Sequence, residues 1–363
     1  MKSMKLQGLT IIILCMAVHC YAQKPQYRLM GRLEAPGWQF QRANSGSSRA
    51  GNVAYQRQFA NGNDGTYLLA GGTSFDINTR FGVKRSQVYS VGRRVHALDW
   101  QTGTGFNTKS KSGFIYNNQL VEMTTYLGYT TGGAQVYAGG GDWVGGNGSP
   151  LPGSGLSGFA SIGTAANPVT GERIQFARFN YNKFIGSNEE NMLLFMSSQL
   201  PIEGTIGGDH AVYTVQNGIT KFLGIGFAHD LNDQGDVLIT DAISRPRVVD
   251  RNGKVRMLAQ DDPYKPSVIE AQIDNFGRVM IAANDPGNVR AHITSGDRWY
   301  RLDDCVDQIP AELGGSIGYA SMDPVTGYLY TGDGYYYAPV PEPGTLAALG
   351  LGLAALARRR RKG

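Results

Sequence analysis

Residues 227–240 read Phe-Ala-His-Asp-Leu-Asn-Asp-Gln-Gly-Asp-Val-Leu-Ile-Thr, two short apolar runs on either side of Asn232-Asp233-Gln234-Gly235. Strand-forming residues flanking a cluster of Asn, Asp and Gly are the pattern of an antiparallel hairpin, so Phe227 to Leu231 is predicted to pair with Asp236 to Thr240. The pattern returns directly, in Arg247 to Asp250, Asn252-Gly253 and Lys254 to Leu258. It returns again in Ile269 to Ile273, Asp274-Asn275-Phe276-Gly277 and Arg278 to Ala282, followed by a hairpin around Ser295-Gly296. Gly235 and Gly277 are 42 residues apart, as are Val237 and Val279. Two hairpins in a repeat of that length make one four-stranded propeller blade.

Partial copies lie upstream, at Ala211 to Leu223 around Asn217-Gly218 and at Phe114 to Met123 around Asn117-Asn118. Asn167-Pro168-Val169-Thr170-Gly171 is echoed by Asp323-Pro324-Val325-Thr326-Gly327, each a turn ahead of a predicted strand. No long stretch carries apolar residues at helical spacing. The fold class is therefore all-β, a β-propeller of about six to eight four-stranded blades, with a tandem β-sandwich or β-solenoid as the alternative. Gly139 to Gly158, with Pro150 and Pro152, breaks the pattern and reads as a long loop or a linker between two halves.

The chain has 363 residues, 50 of them Gly, with 41% hydrophobic and 17% charged residues. That apolar content can bury a large core, which excludes a solvated coil. Its formal net charge of +5 is a property of the ends, where Lys2, Lys5 and Arg358 to Lys362 stand against Glu342 alone. The body between them is close to neutral, so a nucleic-acid partner is not expected. Cys15 and Cys20 fall in the N-terminal apolar stretch, which leaves Cys305 as the one thiol of the body. One thiol makes neither an internal disulfide nor a cysteine-based metal cluster.

Residues 1–22 read as a secretory signal peptide, with Lys2 and Lys5 as the charged region, Leu9 to Val18 as the apolar region and Tyr21-Ala22 at the cleavage point. Residues 23–339 form the extracellular body, and residues 340–363 are a third unit. There Val340-Pro341-Glu342-Pro343 is followed by the uncharged stretch Gly344 to Ala357 and then by Arg358, Arg359, Arg360, Arg361 and Lys362. The prolines keep the motif extended and open to another protein. Fourteen helical residues reach about 21 Å against a hydrocarbon core of about 30 Å, so insertion is marginal, and the basic cluster holds the terminus on the cytoplasmic side.

This tail resembles the PEP-CTERM sorting domain of exported bacterial proteins. The resemblance implies recognition of the Pro341-Glu342-Pro343 motif by a membrane-embedded, transpeptidase-like exosortase, transient membrane insertion, and removal of the tail on the way to the cell surface or extracellular matrix. Bacteria with such sorting systems usually also make an exopolysaccharide matrix. Within the body, His210-Ala211-Val212-Tyr213, Asn217-Gly218, Leu223-Gly224 and Leu231 to Val237 look like the HAF repeat of bacterial extracellular proteins, with fragments at Phe114-Ile115-Tyr116 and Arg290-Ala291-His292. That family carries no assigned chemistry.

Catalytic motifs are weak. Gly314-Gly315-Ser316-Ile317-Gly318 fits the pattern of a nucleophile elbow, but no His follows His292 and no helix is predicted after it, so the stretch reads as a turn before a strand near Tyr319. His96, His210, His229 and His292 lack metal-ligand spacing and read as structural. Glu189-Glu190, Asp261-Asp262 and Asp303-Asp304 lack the alternation of a calcium loop. No catalytic residue, metal or cofactor is assigned.

Nineteen tyrosines and four tryptophans suit packing between blades, and some suit stacking on sugars. Trp143 and Tyr336 are the candidate glycan contacts, expected to be exposed; Tyr335-Tyr336-Tyr337 equally suits a closing strand. The leading reading is a non-enzymatic surface or biofilm-matrix protein that binds or organises exopolysaccharide. The alternative is a secreted propeller enzyme, a hydrolase or lyase acting on glycans, whose acid and base converge from different blades.

Overall fold

The structure is a computed structural model that describes residues 24–33, 48–57, 65–104, 107–123, 136–138, 142–148, 162–177, 181–198, 210–241, 245–258, 267–285 and 288–341. Its strands form seven four-stranded antiparallel sheets. In six of them the strands follow one another in chain order, giving blade 1 (48–76), blade 2 (84–122), blade 3 (136–176), blade 4 (181–225), blade 5 (227–257) and blade 6 (267–301). The first strands of successive blades lie side by side around a central axis. The protein is thus a seven-bladed β-propeller.

Blade 7 is made from both ends of the chain. Ala320–Met322, Leu329–Thr331 and Tyr335–Pro339 supply three strands, and Tyr27–Arg32 adds the outermost one, antiparallel to Tyr335–Pro339 with Tyr27 opposite Pro339. The ring is closed by the hydrogen bonds of this strand and by burial of Tyr27 against blades 6 and 7.

The quoted hairpin appears as predicted, with Phe227–Leu231 paired to Val237–Thr240. Gly235 and Gly277 occupy the equivalent first turn of blades 5 and 6, at φ of 86° and 74°, a conformation open to glycine at little cost. All four residues of Val237–Thr240 are buried, because a second strand has a neighbouring blade on each face; it therefore reads as a continuous apolar run. The outer strand Val255–Met257 is exposed at both ends. Innermost strands of blades 2, 4, 5 and 6 each contain a register shift, at Val88/Ser90, Phe184/Gly186, Ala228/Asp230 and Val268/Glu270. Such bulges increase the local twist of the strands at the axis.

The core has seven parts, one between each pair of neighbouring blades. Leu68, Leu98 and Trp100 pack between blades 1 and 2, Phe114 and Val144 between 2 and 3, and Phe176, Phe184 and Phe195 between 3 and 4. Leu194 and Val237 join blades 4 and 5, Leu238 and Ile281 join 5 and 6, and Ile293, Leu329, Tyr337 and Tyr27 join 6 and 7. The seam between blades 7 and 1 is the smallest, built on Val53, Tyr55 and Tyr330 with partly buried Tyr67, Tyr328 and Tyr336 around them. Much of the tyrosine content therefore fills spaces between blades.

One expectation is corrected, and the echoed turns each lead into a strand as read. The stretch Gly139 to Gly158 is no linker: Val144–Gly148 within it is the second strand of blade 3. Its glycines have a packing reason, since a Cβ at Gly145 would run into the Thr164 carbonyl oxygen of the adjacent strand. The two echoed turns differ in place. Asn167 to Gly171 joins the third and fourth strands of blade 3, whereas Asp323 to Gly327 joins the first and second of blade 7. By strand direction both lie on one face of the disc, called here the turn face. Sequence periodicity also misses a five-residue helix, Ile77–Phe81, capped by Asp76 Oδ1 on the Thr79 amide and by Gly82. Among the described residues no helix is long and apolar enough to cross a membrane. Gly344 to Ala357, the predicted inserting segment, lies outside the described residues.

Candidate functional site

Chemistry-bearing side chains gather in two places, both on the turn face: around the axis, and at the edge of blade 7 where the chain leaves the body.

Around the axis the turns are built by Asn and Asp. Asn188 Oδ1 accepts from the Glu190 and Met192 amides (3.1 and 2.9 Å), and Asp274 Oδ1 accepts from those of Phe276 and Arg278 (3.0 and 2.8 Å). Such local bonds fix the turn conformation. The free amide of Asn188 donates to the Asn232 carbonyl (3.1 Å), and that of Asn232 donates to the Asp274 carbonyl (3.0 Å), linking blades 4, 5 and 6. The Asn275 amide donates to the Pro324 carbonyl in blade 7 (2.8 Å). Asp323 accepts from the Ala50 and Gly51 amides of blade 1 (3.0 and 2.7 Å). Asn52 Nδ2 reaches the Gly92 and Arg93 carbonyls of blade 2, Arg94 pairs with Asp142 of blade 3, and Trp143 Nε1 donates to Asn191 Oδ1 of blade 4 (3.0 Å). Polar contacts therefore run the whole way round the ring.

Two ion pairs join blades that are not neighbours, Arg49 with Asp233 and Arg93 with Glu189 (3.2 Å). Asp233 also accepts from the Glu189 amide (2.9 Å) and Asn275 Nδ2 (2.6 Å). Its carboxylate is thus occupied on both oxygens. Asp230 is likewise committed, to the Leu231 and Ile273 amides (2.8 and 2.9 Å). This arrangement suits a rigid hub more than proton transfer. Among the described residues no three His, Cys, Asp or Glu side chains converge to hold a metal ion.

Several buried groups near the axis have shifted pKa values, Asp274 among them, raised by its burial. Burial pushes His96 and His229 down from 6.5 to about 4, and it pushes Asp230 up from 3.8 to about 6 against the opposing effect of its two amide bonds. Each histidine therefore contributes stability that is complete above pH 6.5 and is lost as pH falls toward 4. Asp230 acts oppositely, its contribution being complete below 3.8 and lost as pH rises through 6. Each histidine effect amounts to about 3 kcal/mol, and Asp230, joined by the raised carboxyls of Asp274 and Asp99, acts in the opposite sense. The thermal midpoint of the body at pH 4, taken relative to that at pH 6.5, is expected to be higher in His229→Gln than in the unaltered protein. An equal difference in the two proteins would contradict the assignment.

At the edge of blade 7, Tyr335–Pro339 is bonded on both sides, and the pairing continues one residue further through the Val340 amide and the Gln26 carbonyl (2.8 Å). Leu29 N donates to Asp307 Oδ1 and Asp307 N to the Tyr27 carbonyl (2.8 and 2.9 Å), fixing the N-terminal strand from its other side. Val340 and Pro341 of the sorting motif thus leave the sheet directly and are exposed. Glu342, Pro343 and Arg358 to Lys362 lie outside the described residues.

The two candidate glycan contacts fare differently. Trp143 is 2% exposed, its ring in the core between blades 3 and 4, so the expectation of an exposed ring is wrong. The cause is that strand Val144–Gly148 runs through the supposed loop and carries Trp143 inward. Tyr336 is half-buried, 6.2 Å from the parallel ring of Tyr330, in the strand that closes the ring. Ser316 follows a 3-10 turn, Ala311–Leu313, and leads into strand Ala320–Met322. Cys305 is buried, and its thiol is pushed up to about 12 by burial. No sequence signal points to the pair Arg49–Asp233, whose members are 184 residues apart. The spacing of Asn188, Asn232 and Asp274, near the blade repeat, was a signal for the ring of turns.

Residues 339–362 match the family model of the PEP-CTERM protein-sorting motif. The chain therefore ends in a sorting signal for export and surface placement. No curated protein matches the chain. Among solved structures, it is similar to Pyrococcus horikoshii acylaminoacyl peptidase, at 11% identity and a TM-score of 0.50, over 86% of this chain and 55% of that one. It thus spans about half the length of that peptidase. The propeller domain of the Trilobed protease from Pyrococcus furiosus matches at 10% identity and a TM-score of 0.49, over 72% of this chain and 85% of that one. PorZ, a surface component of the type-IX secretion system of Porphyromonas gingivalis, matches at 11% and 0.46, over 84% and 48%. At these identities the likeness extends to the fold alone.

Proposed function

We propose that this PEP-CTERM chain is a surface or matrix protein that acts by binding, without catalysis, and that its ligand is exopolysaccharide. The observation that carries this reading is the sorting signal at residues 339–362, joined without a spacer to the closing strand of a rigid propeller. Exosortase is its processing partner, and the final form is the disc without its tail. Support for binding over catalysis comes from the axial carboxylates: Asp233 and Asp230 spend their oxygens on Arg49 and on backbone amides. Tyr336, half-buried at the seam of blades 7 and 1, is the aromatic side chain offered to sugar rings.

The test is incubation of the purified body with exopolysaccharide from a producing bacterium, measuring retention on the polymer and release of reducing ends. Retention without new ends, weakened in a folded Tyr336→Ala variant, is expected. Release of reducing ends that one Asp or Glu substitution abolishes would overturn the reading.

A further inference from the structure

The two ends of the folded body leave at one point. Tyr27 pairs with Pro339, the Val340 amide is bonded to the Gln26 carbonyl, and both strands reach this point on the turn face. Gln26 is preceded by the export signal, and Pro341 is followed by the apolar tail. The two segments with affinity for the membrane are therefore attached to the same spot of the disc.

The tether is short. Four residues, Val340 to Pro343, separate Pro339 from Gly344, where the apolar stretch begins, and the five Cα–Cα steps of an extended chain span at most about 18 Å. While the tail is inserted, the turn face at blade 7 is held within that distance of the bilayer. The residues around the exit suit such a position. Phe276, in the adjacent first turn of blade 6, is 65% exposed, with the Arg278 guanidinium 5.0 Å from its ring, and Val340 is 37% exposed. Lys24 and Arg28 are exposed on the N-terminal side of the exit. An exposed aromatic ring beside cations is the composition found at lipid headgroups. Arg278 is itself paired with Asp274, as Arg93 is with Glu189, Arg94 with Asp142 and Arg251 with Glu190, so the exposed cations offered at the exit are Lys24 and Arg28.

We propose that the unprocessed protein rests on the membrane with its turn face inward, blade 7 nearest, and presents the opposite face outward. This rests on insertion of the tail and is independent of any polysaccharide.

The test uses residues 23–363, the chain after removal of the export signal, so that the tail alone can insert and Cys15 and Cys20 are absent; the Cys305 thiol is buried. Single cysteines are introduced as Gln26→Cys and Phe276→Cys near the exit, and as Thr104→Cys in the connection between the second and third strands of blade 2, on the opposite face. Vesicles of phosphatidylethanolamine and phosphatidylglycerol carry the protein, and a bulky soluble maleimide labels it. Relative to the same variants lacking residues 340–363, labelling at positions 26 and 276 is expected to be roughly tenfold slower, equivalent to about 1.4 kcal/mol of protection, with position 104 unchanged. Flotation of the protein with the vesicles reports insertion separately. Flotation with equal labelling at all three positions, or with protection at position 104, would overturn the orientation. Failure to float would overturn it together with the insertion on which it stands.

Discussion

Replacing Tyr27 by alanine is expected to destabilise the body by about 3–5 kcal/mol, the range for deleting a fully buried aromatic side chain. Tyr27 is 0% exposed and packs with Ile293, Leu302, Leu329 and Tyr337, so its ring joins the N-terminal strand to blades 6 and 7. The Arg278 guanidinium lies 5.6 Å from the ring centroid. Its hydroxyl is buried without a hydrogen-bond partner, and burial raises its pKa above the ordinary tyrosine value. Tyr27→Phe is therefore expected to be neutral or stabilising, since it removes an unsatisfied polar group and keeps the ring. Urea unfolding of the two variants separates these terms. A loss of less than about 1 kcal/mol in the alanine variant would mean that the N-terminal strand contributes little to closure.

The second large effect is expected at Asp323, which is 0% exposed. Its Oδ1 accepts from the Val325, Thr326 and Ala50 amides, and its Oδ2 accepts from that of Gly51 (2.7 Å). Removing the carboxylate strands buried donors at about 1–3 kcal/mol each, so Asp323→Ala should cost about 4 kcal/mol or more. The informative variant is Asp323→Asn. At Asn188 and Asn232 the side-chain amide donates to a carbonyl of the next blade, whereas at the seam the next blade offers N–H groups. An amide at position 323 would set one donor against another, and the asparagine variant should recover less than half of the loss. Near-complete recovery, measured by the same unfolding experiment, would show that the direction of the bonds is unimportant there.

Why some turns of this ring carry asparagine and others aspartate is invisible in the sequence, where both read only as turn formers. What was legible was local: the hairpin of Phe227 to Thr240, the 42-residue offset of Gly235 and Gly277, and the sorting tail each consist of residues close together in the chain. What was not legible depends on pairing across the ring. Trp143 seemed exposed because glycines surround it, yet those glycines let two strands approach closely, and the ring is buried by blade 4. Arg49 meets Asp233 only once five blades have been placed in order. The short strands of blade 3, dominated by Gly and Ala, offered too weak an alternation to be counted.

Closure by the N-terminal strand also sets an order of events. Tyr27–Arg32 is among the first parts of the body to be made, and its partner Tyr335–Pro339 is among the last, some 300 residues later. At about 5–20 residues per second this is an interval of roughly 15–60 s, during which the first strand has no partner. An unpaired strand is a template for adhesion to other chains, and here the exposed segment carries Arg28 and Arg32, charges that disfavour such pairing. The sorting motif begins just after the strand that ends this wait. A chain whose motif has emerged is thus one in which every strand of the ring has already been made.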